Sequence, residues 1–191
     1  IILTFPLAII APYSGIKSET FIHRHMMELL PGKTIVVVRH KGEGNDAIDL
    51  DLPCLILEEQ KKSWKWIYRA SCFALHLNKL SPVQISVKEY FKQNDVQVVL
   101  SEYLNQSLKW ISVARELGIR FFAHAHGCDI SVSLRDPEMR HKYLQLEAAD
   151  GIITMSEISR KRLIALGLDS KKIHVIPYGV DVLENPVERS V

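Results

Sequence analysis

The feature that most restricts what this chain can fold into is a series of short apolar runs set between amphipathic stretches. The runs cover residues 7–11, 34–39, 54–57, 96–100, 119–124, 151–154 and 173–176. Several are β-branched and continuous in hydrophobicity, the pattern of strands covered on both faces. The stretches between them have helical spacing. From Glu19 to Leu30, the side chains of Ile22, Met26 and Leu29 fall on one face. From about Asn105 to Leu117, Leu108, Ile111 and Ala114 do the same, and Gly118 stands where a C-terminal cap belongs. A third helix follows Ser156 and stops at Gly167, 61–78 and 81–94 read as two more, and 40–53 reads as a loop rich in Gly and Asp. This alternation predicts an α/β, doubly wound, mostly parallel sheet with helices on both faces.

A length of 191 residues suits one domain with its own core. The near balance of 24 Lys and Arg against 22 Asp and Glu argues against a dedicated nucleic-acid binder. Cys54, Cys72 and Cys128 are odd in number and widely spaced, as expected for reduced thiols of a cytosolic protein. No apolar run reaches the roughly 18 residues of a membrane span. The apolar opening 1–10 has no basic leader and holds Pro6, so a buried first strand fits it better than a signal peptide.

In a doubly wound sheet, ligands bind beyond the carboxyl ends of the strands. That rule selects Tyr13 to Glu19, Ser101 to Asn105, His124 to Asp129, and Ser156. Gly15 permits a close backbone approach, Ser18 can cap the helix that follows, and the N–H groups there would favour an anion such as a diphosphate. An ordinary strand-to-helix turn accounts for the same residues. No G-x-G-x-x-G or Walker A pattern is present, so NAD and P-loop chemistry are not supported.

His124 and His126 lie two apart, on one face if both remain extended. His126, directly before the Gly127 turn, reads as functional, able to bond a sugar hydroxyl or phosphate or to shuttle a proton. His124 reads as a structural histidine bonded to nearby backbone. Together with Asp129 or Cys128 the two histidines could hold zinc, but further ligands would have to come from elsewhere. The D-x-D of Asp49 and Asp51 reads as a solvated loop. Residues 61–69 interleave cations with aromatics, which suits either a membrane surface or a surface helix whose Trp residues pack inward.

With these residues in place, the chain resembles the family-4 glycosyltransferases of the GT-B fold, especially those that build bacterial exopolysaccharides. Four segments carry the likeness in the family's order: Ser18-Glu19-Thr20-Phe21-Ile22; His126-Gly127-Cys128-Asp129; Ala149-Asp150-Gly151 through Ser156; and Leu166-Gly167 through Lys172-Ile173-His174-Val175-Ile176-Pro177-Tyr178-Gly179-Val180-Asp181. The resemblance implies a Rossmann-like N-terminal, acceptor-side domain over 1–181, with 182–191 opening the interdomain linker. It implies that His126 contacts the transferred sugar or its departing diphosphate. Gly15 and Gly127 would approach the diphosphate, and Ser18, Glu19, Glu102, Asn105 and Asp129 would face the acceptor. The implied reaction moves a sugar from a nucleotide-sugar donor to a saccharide or lipid-linked acceptor with retention, in polysaccharide biosynthesis, in the cytoplasm, without a metal or other cofactor. Peripheral membrane contact through 61–69 is an open option.

One departure is large. The family's donor domain carries two glutamates eight positions apart, and no two glutamates here have that spacing. The donor half is therefore expected in a further domain, and the isolated domain is expected to be inactive. Three alternatives stand beside this reading: a non-catalytic carbohydrate-binding or partner-recruiting half-domain, a zinc-dependent hydrolase using His124 and His126, and a two-domain epimerase of nucleotide sugars. The transfer reading requires the His126 turn and the first turn of the opening helix to converge at one rim of a parallel sheet.

Overall fold

A computed structural model of the chain describes residues 6–14, 19–41, 51–60, 66–67, 70–71 and 79–179. Seven strands form one sheet: β1 Leu7–Ser14, β2 Thr34–Lys41, β3 Cys54–Ile56, β4 Val98–Glu102, β5 Arg120–His124, β6 Gly151–Thr154 and β7 Ile173–Val175. All seven apolar runs are strands. Their order across the sheet is β3-β2-β1-β4-β5-β6-β7, and every neighbouring pair is parallel. The chain winds outward in one direction from β1 to β3 and in the other from β4 to β7. The β1–β4 boundary is thus the switch point, where a sheet of this kind opens a crevice beyond its strand ends.

The helices are α1 Thr20–Glu28, α2 Leu57–Gln60, α3 Pro82–Gln93, α4 Leu104–Ser107, α5 Ile111–Leu117, α6 Gly127–Ser131, α7 Pro137–Tyr143 and α8 Glu157–Leu166. The α3 start is a full capping box: Ser81 accepts from the Gln84 N–H, Gln84 accepts from the Ser81 N–H, and Pro82 occupies the first turn. Ser156 caps α8 through the Ser159 N–H, and Gly167 ends it at φ 116°. The single helix expected over 105–117 is two pieces, α4 and α5. The Ser107 hydroxyl bonds back to the carbonyls of Tyr103 and Ser101, an alternative to the helical ladder that accompanies the break. The sequence pattern gave no element for 137–143, where α7 forms behind an Asp136 cap and Pro137.

Alternation along the strands separates two apolar clusters. Ala8, Ile10, Val37, Val99, Phe121, Ala123 and Ile152 face residues of α2 to α8, including Val87, Phe91, Val113 and Leu163. Ile9, Ala11, Val36, Val38 and Leu100 face Ile22 and Met26 of α1, which is the helix that packs on this second side among the described residues. Gly151 is required where it stands, because a Cβ there would come within 2.9 Å of the Phe122 ring. Most of 61–69 lies outside the described residues; of its aromatics, Trp66 is half-buried. Among the described residues no helix is long and apolar enough to cross a membrane.

Candidate functional site

The α1 side of the sheet ends in a polar cluster. Glu102 closes β4 and His124 closes β5, and the two are register partners. Strand alternation turns both side chains to the α1 face, two residues beyond Leu100 and Phe122. His126 follows one further alternation along, and His25 reaches in from α1. Glu102 is fully buried. Its Oε1 lies 2.8 Å from Nδ1 of His25, and its Oε2 lies 3.0 Å from Nδ1 of His124 and 2.8 Å from Nε2 of His126. Burial by itself would push this carboxyl's pKa up. The three imidazole hydrogen bonds outweigh it and hold the carboxyl well below the usual carboxylate range.

The His126 ring is only 5% exposed because aromatic rings surround it. The Tyr103 ring lies 4.3 Å away, His124 4.6 Å and Phe21 4.9 Å, between centroids. The Tyr178 hydroxyl sits 3.1 Å from its Nδ1. Tyr178 belongs to the segment after β7 and stacks on Phe21 at 4.9 Å and 14°. Arg24 of α1 donates to the Gly179 carbonyl at 3.1 Å, which ties that segment to the helix. Burial, and then the charge of Glu102, push the Tyr178 phenol well above its ordinary pKa. A cavity of about 370 Å³ opens beside it, lined by Arg24, His25, Leu100, His124, Ile153 and Tyr178 among others.

Two further contacts shape the turn. Tyr103 holds φ 68°, a left-handed conformation that costs a bulky residue roughly 1–3 kcal/mol. Its hydroxyl donates to Oε1 of Glu19 at 2.5 Å, and burial, reinforced by Glu19, pushes the phenol pKa far up. Asp129, also buried, accepts through Oδ2 from the backbone N–H of His126 at 3.0 Å and of Leu104 at 3.1 Å. Its Oδ1 accepts from the Tyr143 hydroxyl at 2.9 Å. Asp129 thereby fixes the main chain of the His126 turn to the start of α4.

The predicted residues fare differently. His124 and His126 do share a face, and the first turn of α1 meets the His126 turn through Phe21. His124 is buried but bonds Glu102 rather than backbone, and its Nε2 has no partner among the described residues. Glu102 and Asp129, expected to face an acceptor, have buried carboxylates bonded to protein groups, one to imidazoles and the other to amides and a phenol. Glu19 is half-buried on Tyr103, and Asn105 is exposed on α4. Gly127 is exposed at the start of α6. Its φ is not left-handed and a Cβ would meet nothing within 4 Å among the described residues, so the backbone of the turn itself does not require glycine. Gly15, Ser18 and Asp49 lie outside the described residues, and Asp51 is exposed.

Sequence reasoning missed His25, Tyr103 and Tyr178. His25 lies three residues after Ile22, on the inward side of α1, which was the available signal. On the zinc alternative, His25, Glu102 and His124 place one ligand atom each within 4.8 Å of one another. That set differs from the one expected, which held His126 with Asp129 or Cys128.

The family model described as Glycosyltransferase Family 4 matches residues 57–183. No curated protein matches the chain by sequence. Among solved structures, Alr3699/HepE of Anabaena, determined in complex with UDP-glucose, is 14% identical with a TM-score of 0.68, over 93% of this chain and 44% of its own. Sucrose-phosphate synthase from Thermosynechococcus elongatus is 16% identical with a TM-score of 0.59, over 93% and 49%. UDP-N-acetylglucosamine 2-epimerase from Rickettsia bellii is 18% identical with a TM-score of 0.51, over 88% and 44%. The chain thus spans less than half the length of each of these proteins, and at such identities the likeness is one of fold.

Proposed function

The chain belongs to glycosyltransferase family 4, and on that premise we propose that it supplies the acceptor-side half of an enzyme that transfers a sugar from a nucleotide-sugar donor to a saccharide or lipid-linked acceptor. We assign retention of anomeric configuration and a role in polysaccharide biosynthesis on the cytoplasmic side, a reading supported by the resemblance of the four motifs. The observation that supports the reading is the position of His126. Its ring stands beyond β5, near the switch point, against the first turn of α1. The binding of UDP-glucose by the Anabaena protein of like fold favours a nucleotide sugar as donor.

The donor half belongs to a second domain, which meets this one across the crevice. Rate would come from orienting donor and acceptor there and from stabilising the departing diphosphate. Helix N–H groups and cations serve that charge, with no metal assigned.

The test uses the intact protein with its donor domain, a panel of nucleotide sugars and saccharide acceptors, and product stereochemistry by NMR. Transfer with retention is expected, and His126→Ala should lower kcat about 100- to 1,000-fold. Unchanged kcat in that variant sinks the role of His126. Binding of saccharide without turnover by the intact protein turns the reading into the half-domain alternative. Release of an epimerised nucleotide sugar without transfer favours the epimerase, a reading that the Rickettsia bellii structure supports at the level of fold.

A further inference from the structure

We propose that Glu102 is a positioning residue that fixes His126 in the tautomer protonated on Nε2, leaving Nδ1 as an acceptor for a ligand hydroxyl, with the Tyr178 phenol standing in for that hydroxyl. The nature of the ligand rests on the transfer reading above; the tautomer does not.

The argument begins with what a carboxylate can do. An ionised carboxylate only accepts hydrogen bonds. Glu102 is fully buried, so its charge has to be satisfied by protein donors. Among the described residues, the groups within reach of its two oxygens are three ring nitrogens at 2.8, 3.0 and 2.8 Å. A bare nitrogen lone pair at those distances would repel the carboxylate, so each must carry a proton. His25 and His124 are thereby protonated on Nδ1, and His126 on Nε2.

The same step decides what His126 offers on its other side. A neutral imidazole protonated on Nε2 has a lone pair on Nδ1. Tyr178 O–H lies 3.1 Å from that atom and donates to it. The depth of the phenol, beside the Glu102 charge, keeps it protonated and able to donate. His126 therefore recognises a hydroxyl as donor, and it does so from a ring whose backbone Asp129 already clamps. One buried acid fixes the main chain and another fixes the ring.

Tyr178 is placed to leave. It lies in the segment after β7, and its side chain is held by the stack on Phe21, the bond to His126 and looser ring contacts with His25 and His124, while the Arg24 bond to Gly179 and the Ile176 N–H bond to Thr154 hold the main chain beside it. The adjoining cavity, about 370 Å³, gives the phenol room to swing away. A sugar hydroxyl arriving at Nδ1 replaces one O–H donor with another, at little cost in hydrogen bonding. An ether or deoxy analogue at the same position cannot.

Long-range ¹H–¹⁵N correlation spectra of histidine-labelled protein, with His126→Gln for assignment, read the tautomers directly. Wild type should show His126 neutral, protonated on Nε2. Glu102→Gln, whose amide can also donate, should give a mixture. Tyr178→Phe should keep the tautomer while its Nδ1 signal moves toward that of a lone pair without a donor. In the intact protein, Glu102→Gln should lower kcat about 10- to 100-fold with little change in KM, whereas Tyr178→Phe, which removes the competing O–H donor, should lower the donor KM a few-fold. A His126 protonated on Nδ1, or doubly protonated at neutral pH, overturns the proposal. So does stoichiometric metal on His25, Glu102 and His124, or a Tyr178→Phe loss as large as that of His126→Ala. The wild-type spectra decide the tautomer even if Glu102→Gln fails to fold. A correct tautomer in a protein without transfer activity defeats the functional reading and leaves the tautomer standing.

Discussion

Glu102 and Asp129 are both buried acids at the mouth of the sheet, yet they are held by opposite kinds of donor. Asp129 takes two backbone N–H groups and one phenol, whose protons stay in place across the physiological range. Glu102 takes three imidazoles, rings that can donate from either of two nitrogens. The first arrangement is a fixed clamp on the chain. The second selects one nitrogen on each ring as the donor and so sets what the opposite nitrogen offers. Two acids of the same burial thus divide the work at the site: one makes the turn rigid and the other sets the chemistry of the rings mounted on it.

Breaking the clamp should have the largest effect. Asp129→Ala leaves two amide N–H groups and the Tyr143 hydroxyl unsatisfied, and is expected to cost roughly 3–5 kcal/mol in a denaturant unfolding experiment. A loss below about 1 kcal/mol would show that the clamp is not structural. Glu102→Gln is expected to cost about 2 kcal/mol at neutral pH, since the amide cannot serve three N–H donors.

That second loss should depend on pH. The Glu102 carboxyl is held below its ordinary value of 4.5, so its stabilisation is complete above that pH and is lost as the pH falls toward the folded-state value. The groups that face it are His25 from α1, His124 and His126 at the end of β5, and Tyr178 from the segment after β7. The gap between wild type and Glu102→Gln in unfolding free energy should therefore be widest near neutrality and close in acid. A gap that widens in acid would reverse the assignment of charge. Tyr143→Phe sharpens the comparison from the Asp129 side, with an expected loss of about 1.5 kcal/mol from one charged hydrogen bond and no change in the His126 tautomer. Ser156→Ala, remote from both acids, removes the α8 cap for about 1 kcal/mol and should leave the spectra of all three histidines untouched.

Much of the site was legible before any coordinates. The shared face of His124 and His126 follows from period-two alternation, and the switch-point rule directed attention to Glu19, Glu102 and Asp129. What was not legible is what they bond. An acid at a strand end reads as exposed, and nothing local to Ser101-Glu102-Tyr103 shows that three imidazoles will cover it. Tyr178 was taken only as part of a family motif leading to a second domain. Its contact with His126 joins residues 52 apart in sequence.

The sequence by itself determined the seven strands, their parallel alternation with helices, and the face to which each strand residue turns, because apolar periodicity is a local property of the chain. It determined as well that His126 would stand at a strand end before a turn. Only the tertiary structure decided that Glu102 would be the hub of the site. His25 lies 77 residues away on another element, and the β4–β5 register alone sets Glu102 opposite His124. Local pattern says which side a residue faces; what it meets there depends on how distant elements pack.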